Sequence, residues 1–313
     1  MLRIFLVVLG MFGVQYLQAQ TPSADAQIVN VRSYGCAGNG TSDDTACIVA
    51  AGNAVVSAAA KGPVELYFPA GRYMINPMKG MFPYTPGATG AALLDFIGSH
   101  ANGITVMGEG TSSQIALLPY TVSAQPGKPY NEQAAVAKGS EFYFWAIRFA
   151  GNDEAVLNMA FDGNGQSYGA NGCQPLAGSS DQNGCFWFSG VVDQGTPKMQ
   201  LQNLNVSNNT FYNSVTDSQV GTGATISFGI AGWPVEASNT SHVRISHNSA
   251  TGSVGMNCVN GATDCIIDSN TSDKSFDAPY SCNGGRGTPR RRCGTASFQT
   301  TLPGQTTTAR GLM

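Results

Sequence analysis

Residues 35–75 read GCAGNGTSDDTACIVAAGNAVVSAAAKGPVELYFPAGRYMI and have the strongest local pattern in the chain. The Ser-Asp-Asp run at 42–44 favours a helix start, because short polar side chains accept hydrogen bonds from free backbone N–H groups there. The Ala- and Val-rich run that follows predicts a helix at about 44–60, ended by a Lys-Gly pair. Residues 64–68 then alternate apolar and polar side chains, the period of a half-buried strand. A Pro-Ala-Gly turn and a second strand at 73–75 complete the stretch.

This stretch resembles the N-terminal signature of the pectate-lyase superfamily, which has the form G-x-G-x-S-D-D-T-x-x-I, a short Ala-rich helix, and a strand ending F-P-x-G-x-Y. The family includes rhamnogalacturonase-like proteins, polygalacturonase relatives, epimerase-like proteins and phage tailspikes. The resemblance implies an all-β fold, a single-stranded right-handed parallel β-helix (pectin-lyase-like) with a short N-terminal capping helix. It does not fix the reaction, because the family spans lyases, hydrolases and non-catalytic binders. The matching positions are Gly38, Gly40, Thr41, Asp43, Asp44, Thr45, Ile48, Phe68, Pro69, Gly71 and Tyr73.

The composition agrees with a turn-rich β protein. Of the 313 residues, only 11% are charged (16 Lys or Arg and 19 Asp or Glu), whereas 39 are glycine. Low charge with many small and turn-forming residues is typical of β-rich chains rather than helical ones. The net charge of −3 provides no overall basic surface, which argues against nucleic acid as a partner.

Residues 1–19 have the features of a secretory signal peptide. Arg3 precedes an apolar segment at 4–14 that is too short to span a bilayer, and Leu17-Gln18-Ala19 is an acceptable cleavage site. We therefore expect a secreted or periplasmic protein with no membrane contact after signal cleavage. An uncleaved membrane anchor is the alternative.

The cysteine count also fits an exported protein. Eight cysteines form an even set, which favours disulfides outside the cytosol. Sequence neighbours lie 11, 12, 7 and 11 residues apart, so local pairs are the simplest arrangement, although the sequence does not determine the connectivity. The absence of a C-x-x-C or Cys/His cluster argues against a zinc site. The cysteines are Cys36, Cys47, Cys173, Cys185, Cys258, Cys265, Cys282 and Cys293.

A repeat in the second half predicts stacked coils. Residues 204–209 and 243–248 read apolar, polar, apolar, two polar or small residues, then Asn, and residues 265–270 follow the same pattern except for Ile266 at the second position. Asn248 and Asn270 are 22 residues apart, close to one coil of a parallel β-helix. An Asn amide both donates and accepts hydrogen bonds, so we expect these residues to form a ladder along one turn. The helix at 44–60 would cover the exposed N-terminal end of the stack.

The last part of the chain differs from the rest. Residues 281–313 contain five Arg and no Asp or Glu. We therefore divide the chain into a signal peptide (1–19), a parallel β-helix domain (20–280) and an irregular basic tail (281–313). The tail is interpreted as disordered, or as the result of a frame break or truncation. A basic arm that grips an acidic polymer is the alternative.

Catalytic residues are harder to predict than the fold. The N-x-D, D-D, G-H-G and R-x-K set of polygalacturonases is missing, and capping explains Asp43 and Asp44 without catalysis. Pectate lyases of this shape hold calcium with carboxylates and use an Arg or Lys as base. The resemblance therefore suggests dispersed candidates, although solvated loop acids are the alternative for all of the carboxylates. The catalytic candidates are Asp193, Asp217, Glu236 and Arg244.

Aromatic residues offer a second indication, because aromatic rings on the flank of a β-helix can stack on sugar faces. The substrate-binding candidates are Trp187, Trp233 and Tyr168, and packing under a loop is the alternative for them. If Phe186 and Phe188 face inwards, Trp187 faces outwards. The working surface is therefore predicted near Trp187, Asp193 and Trp233.

We predict a secreted carbohydrate-active protein that acts on an acidic or plant-type polysaccharide, by lyase or glycoside-hydrolase chemistry. The alternatives are a non-catalytic, tailspike-like polysaccharide binder and an inactive truncated product. The sequence establishes no cofactor and no metal ligands, although a lyase of this type would use calcium. It does not determine the oligomeric state.

Overall fold

The structure is a computed structural model. It describes residues 26–83, 85, 90–97, 101–119, 142–164, 186–194, 200–212, 231–251, 256–259, 261–273, 280–282, 296–302 and 305–311. The predicted signal peptide at 1–19 lies outside these residues. Among the helices that the structure does describe, none is long and apolar enough to cross a membrane.

Three sheets, built mainly of parallel strands, form the described part of the molecule, and most coils contribute one strand to each sheet. In spatial order, the first sheet contains β1 (Gln27–Asn30), β3 (Val64–Tyr67), β6 (Ile104–Met107), β9 (Glu154–Leu157), β13 (Leu204–Ser207), β17 (Arg244–Ser246) and β20 (Ile266–Asp268). The second contains β2 (Asn39–Asp43), β4 (Gly71–Ile75), β7 (Ser113–Leu117), β10 (Ala160–Asp162), β14 (Thr210–Tyr212), β18 (Ser249–Thr251), β21 (Thr271–Asp273), β23 (Ala296–Leu302) and β24 (Gln305–Gly311).

The third sheet contains β5 (Gly90–Asp95), β8 (Phe142–Phe149), β11 (Phe186–Gln194), β15 (Ala231–Ser238), β19 (Met256–Val259) and β22 (Tyr280–Cys282). A two-stranded sheet pairs β12 (Leu201–Gln202) with β16 (Thr240–Ser241). The described strand pairs are parallel except β23 with β24. Parallel crossovers are right-handed. The chain therefore forms the predicted right-handed parallel β-helix.

Aromatic and aliphatic side chains fill the space between the three sheets. Because each coil lies in register on the one before, equivalent side chains stack directly on one another. Phe161 and Phe211 are paired in the second sheet, and their ring centroids lie 4.9 Å apart. Phe144 and Phe188 stack in the same way in the third sheet at 5.9 Å. The core is thus a column of stacked layers.

The predicted asparagine ladder is confirmed. The Nδ2 atom of Asn209 donates to Oδ1 of Asn248 at 3.1 Å, and Nδ2 of Asn248 donates to Oδ1 of Asn270 at 3.0 Å. Each amide also donates to a backbone carbonyl in the interior, and all three residues are at most 3% exposed. The preceding residue of each turn, such as His247 with φ of 56°, has a left-handed backbone. The ladder therefore pairs the polar groups of a buried turn.

Helix α1 (Thr45–Ala59) lies against the first coil, as the opening stretch predicts. Asp43 accepts a hydrogen bond from the backbone N–H of Thr45 at 3.0 Å. The neighbouring Asp44 is buried and instead accepts from the N–H groups of Ala37 and Gly38, at 2.6 and 2.9 Å. The predicted Cys36–Cys47 disulfide joins this turn to the helix. Both aspartates are therefore occupied with backbone structure.

Two local expectations differ from the structure. In the sequence, Leu157, Met159 and Phe161 alternate with polar or small residues as in a single strand. They do not form one strand, because Asn158 has a left-handed φ of 54° and turns the chain between β9 and β10. Cys258 and Cys265 are buried free thiols rather than a disulfide. Their mutual hydrogen bond, followed by burial, raises the pKa of Cys258. The predicted pair Cys173–Cys185 lies outside the described residues.

The tail also contains strands, whereas the sequence predicted an irregular segment. Strand β23 pairs in parallel with β21, and β24 pairs with β23 in antiparallel fashion. The run is rich in threonine, whose β-branched side chain favours extended backbone even without hydrophobic alternation. The domain boundary at residue 280 stays a prediction.

Candidate functional site

A row of mostly polar residues in backbone register crosses the third sheet. Backbone pairing places Asp95 beside Arg148, Arg148 beside Val192, Val192 beside Glu236, and Glu236 beside Asn257. On β15, Val235 and Ala237 are fully buried, so the intervening Glu236 lies on the opposite face of the strand. We call Asp95, Arg148, Val192, Glu236 and Asn257 the outer row. Adjacent members are one strand spacing apart, about 4.8 Å.

Aromatic residues occupy the neighbouring positions of the same face. The rings of Tyr143 and Trp145 stack with centroids 5.8 Å apart. In the backbone register, Trp187 pairs with Tyr143, and Trp233 pairs with Ser189, which itself pairs with Trp145. In the backbone register, Trp187 is thus aligned with Tyr143, and Trp233 is aligned with Trp145 two strands away. Their role as sugar-binding residues stays a prediction.

The outer row has both a cationic and an anionic position. The Arg148 Nε atom lies 3.7 Å from the Asp95 carboxylate, and the two side chains are 13% and 16% exposed. Burial lowers the pKa of Arg148, and the charge of Asp95 partly opposes that effect. Burial alone raises the pKa of Glu236, which is half-buried. A carboxyl with a raised pKa is a stronger base at neutral pH than an ordinary one.

Asp193 was predicted beside these residues, but it faces the interior. It is 1% exposed, and its Oδ2 atom accepts a hydrogen bond from Thr240 at 2.8 Å. The alternation of inward and outward residues along β11 is interrupted where two consecutive residues, Gly190 and Val191, are both buried. After this step the inward positions are Val191 and Asp193. Continuing the outward alternation from Trp187 therefore gives the wrong face. Asp193 is not positioned to touch a substrate on the outer row.

Inside the coil, Asp193 lies near a second acid that the sequence analysis missed. Glu154 is 2% exposed, and its Oε1 atom accepts from the N–H of Gly151 at 3.1 Å. Burial, and then the charge of Asp193, raises the pKa of Glu154 to about 9. Burial raises the pKa of Asp193 to about 7, against the opposing hydrogen bond from Thr240. We call Glu154 and Asp193 the interior acid pair.

The remaining predicted residues are elsewhere. Arg244 belongs to β17 in the first sheet, where its side chain is exposed and its Nε atom donates to Ser246 at 2.9 Å. It therefore does not share a sheet with Glu236. Asp217 and Tyr168 lie outside the described residues. The three described catalytic candidates, Asp193, Glu236 and Arg244, do not form one cluster.

Sequence reasoning also missed Asp95, Arg148, Tyr143 and Trp145. The run Phe142–Phe149 was recognisable as an aromatic β-strand, and its polar member Arg148 was the available signal. Its proximity to Asp95 depends on coil stacking across a long insertion, which a linear pattern does not reveal.

The described residues offer a poor set of calcium ligands. Calcium prefers six to eight oxygen ligands, about 2.3–2.6 Å away. Among the described side chains, Cys36, Asp44 and Cys47 lie close enough together to hold a metal ion, but the two cysteines form a disulfide with each other. On the outer row, Asp95 already neighbours the Arg148 cation. This donor set does not fit calcium, and we assign no step to a metal.

Comparison with protein families gives a clear match over residues 28–227, more than half of the chain. The matching family is described as rhamnogalacturonase A/epimerase, pectate lyase-like. No curated protein sequence matches the chain.

Solved structures with a similar fold include the A-module of a mannuronan C-5 epimerase from Azotobacter vinelandii (16% identity, TM-score 0.44, 80% of this chain and 59% of that one). An exopolygalacturonase from Thermotoga maritima shows 14% identity and a TM-score of 0.49, over 85% of this chain and 56% of that one. A family 28 exopolygalacturonase from Yersinia enterocolitica shows 15% identity and a TM-score of 0.30, over 89% and 65%. The chain thus spans about three fifths of the epimerase module's length.

Proposed function

The chain belongs to the rhamnogalacturonase A/epimerase, pectate lyase-like family, and on that basis we propose that it binds and cleaves an acidic polysaccharide along the outer row. The carrying observation is the row itself, in which one cation and one raised-pKa carboxyl face the same side of the third sheet beside aromatic rings. The family is carbohydrate-active, and the acidic or plant-type substrate is our inference. The features of residues 1–19 support export to the cell exterior or periplasm.

The spacing of the acids favours a lyase over a glycosidase. Retaining and inverting glycosidases hold two carboxyl groups about 5 to 9.5 Å apart. Asp95 and Glu236 are three strand spacings apart, about 14 Å between backbone positions. The nearer Asp193 faces the interior, so it does not complete a pair with Glu236. The two acids of the outer row therefore suit a reaction that needs one base rather than a glycosidase pair.

Elimination at a uronate needs such a base and a cation. Arg148 would hold the substrate carboxylate, which acidifies the C5–H bond beside it, and the stacked rings would support the sugar faces. Glu236 would accept the C5 proton. The C–H electron pair then forms the C4–C5 double bond and expels the oxygen at C4, which takes a proton from water. Removal of the same proton, followed by its return to the other face, would be an epimerisation.

The test is incubation of the mature protein with polygalacturonate, rhamnogalacturonan and alginate. Ultraviolet absorbance of an unsaturated uronate would support the lyase, whereas new reducing ends without that absorbance would show hydrolysis. Binding without any product would favour the second hypothesis, a tailspike-like binder. Failure to bind or change any of the three acidic polymers would overturn the proposal.

A further inference from the structure

The side chain of Arg148 is enclosed by a residue from outside the named strands. Met81 and Phe82 run antiparallel to β5: the N–H of Met81 donates to Leu93 at 3.0 Å, and the N–H of Phe82 donates to Ala92 at 3.2 Å. The N–H of Ala92 donates back to the Phe82 carbonyl at 2.8 Å. These bonds fix the Phe82 backbone at the edge of the third sheet.

Helix α1 packs beside this segment. A Cβ atom at Gly52 would lie 2.6 Å from the sulfur of Met81 and 2.8 Å from a methyl of Leu94. A side chain at position 52 would therefore displace the ends of these two side chains, and glycine lets the helix approach closely. The helix thus contacts Met81, the neighbour of Phe82.

Phe82 and Trp145 lie on the guanidinium of Arg148. Its central carbon is 5.0 Å from the Phe82 ring centroid and 4.6 Å from the Trp145 centroid. Both distances are within the roughly 6 Å range of a cation–π contact. Ala92 lies between the two aromatic residues in the backbone register, and its small side chain leaves space for both rings. The exposed fraction of Phe82 is 38%, so the ring borders solvent.

Two ring contacts restrict how a guanidinium can meet a ligand. A guanidinium packed against two rings meets a charged ligand through its N–H groups, whose fork geometry matches the two oxygens of a carboxylate. The Nε atom of Arg148 already lies 3.7 Å from the Asp95 carboxylate. A neutral sugar offers no equivalent partner for a partly desolvated cation. Specificity then arises from the difference between the affinities for the charged and the neutral sugar.

We propose that Phe82 is a positioning residue that holds the Arg148 guanidinium against Trp145 and so makes the outer row selective for uronate over neutral sugar units. This inference rests on the proposed function, in which the outer row binds the polymer. Phe82 does not touch the reacting atoms and acts through Arg148.

The test compares Phe82→Ala with the ring-preserving variant Phe82→Tyr. Affinities are measured for an oligogalacturonate and for a neutral xylo-oligosaccharide of equal length, with kcat and KM on polygalacturonate. We expect Phe82→Ala to weaken oligogalacturonate binding about 5- to 30-fold and to raise KM more than it lowers kcat. Neutral binding should be unchanged, and Phe82→Tyr should restore the wild-type values. Equal loss for both sugars, or no loss, would overturn the inference.

A spectroscopic readout separates this inference from the function itself. The Arg148 Nε–H resonance, assigned by its absence in Arg148→Lys, should shift and exchange faster in Phe82→Ala but not in Phe82→Tyr. An unchanged resonance in Phe82→Ala would overturn the positioning role even if the polymer binds. The wild type could bind no acidic oligosaccharide while the Arg148 resonance still shifts in Phe82→Ala. That result would overturn the proposed function and the selectivity but would leave the positioning of Arg148 by Phe82 intact.

Discussion

Asp193 and Glu236 lie on neighbouring strands of one sheet, yet they face opposite sides of it. Asp193 pairs in register with the buried Ala237, whereas Glu236 pairs with Val192 in the outer row. The inner carboxyl is 1% exposed and belongs to the interior acid pair, and the outer one is half-buried beside the aromatic face. Burial raises the pKa of both. A perturbed acid therefore indicates a catalytic group only when a substrate can reach it.

The largest expected effect concerns the outer acid. Glu236→Gln keeps the shape of the side chain but removes its proton-accepting capacity, so we expect kcat to fall about 10²- to 10⁴-fold. The unfolding free energy should change by less than about 0.5 kcal/mol. The measurement is initial lyase rate together with urea unfolding.

The matched control is Asp193→Asn, which should leave kcat of the folded protein within about twofold, since Asp193 does not reach the outer row. An equal loss of kcat in both variants would break the distinction between the two faces.

The second largest effect concerns the buried asparagine ladder, whose amide groups are hydrogen-bonded. Asn248→Ala removes an acceptor for two donors of Asn209 and a donor to the Val206 carbonyl. The buried groups left behind should cost about 3 kcal/mol of unfolding free energy, measured by urea denaturation. Asn53→Ala, at an exposed position on α1, is the control and should change the unfolding free energy by less than about 0.5 kcal/mol. Equal stability of the two variants would show that the ladder contributes little.

The third effect concerns the interior acid pair and pH. The pKa of Glu154 is raised to about 9 in the folded state, and among the described residues the Oε2 atom of Glu154 and Oδ1 of Asp193 have no hydrogen-bond partner. Between the unfolded value of about 4.5 and the folded value, the folded chain binds a proton that the unfolded chain has lost. Stability is therefore greatest at the acidic end and decreases as pH rises through this window.

Glu154→Gln should reduce this pH slope of the unfolding free energy by up to about 1.4 kcal/mol per pH unit between pH 5 and 9. The measurement is urea unfolding across that range, and Asp153→Asn, at an exposed neighbouring site, should keep most of the slope. A wild-type stability that rises with pH over this window would contradict the assignment of these protons.

The opening stretch could be predicted in detail because its signals are local. The helix and the adjoining strands follow from residues close in sequence, and the Asn ladder follows from a repeat. The Cys36–Cys47 disulfide agrees with the local pairing that was the simplest arrangement. The outer row could not be predicted this way. Asp95 and Arg148 meet only after coils stack, and a phase shift near Gly190 reverses the faces that simple alternation assigns.

From the sequence by itself, the resemblance of residues 35–75 to a known family implied a parallel β-helix capped by a helix, and the Asn repeat predicted stacked coils, since turn residues and a ladder Asn act over a few residues at a time. Only the tertiary structure decided which acids face the solvent. The face of each residue depends on the phase of its strand, and one irregular step reverses that phase for every residue after it. It also brought Phe82, Trp145 and Arg148 together, because in-register stacking joins strands that are distant in the chain.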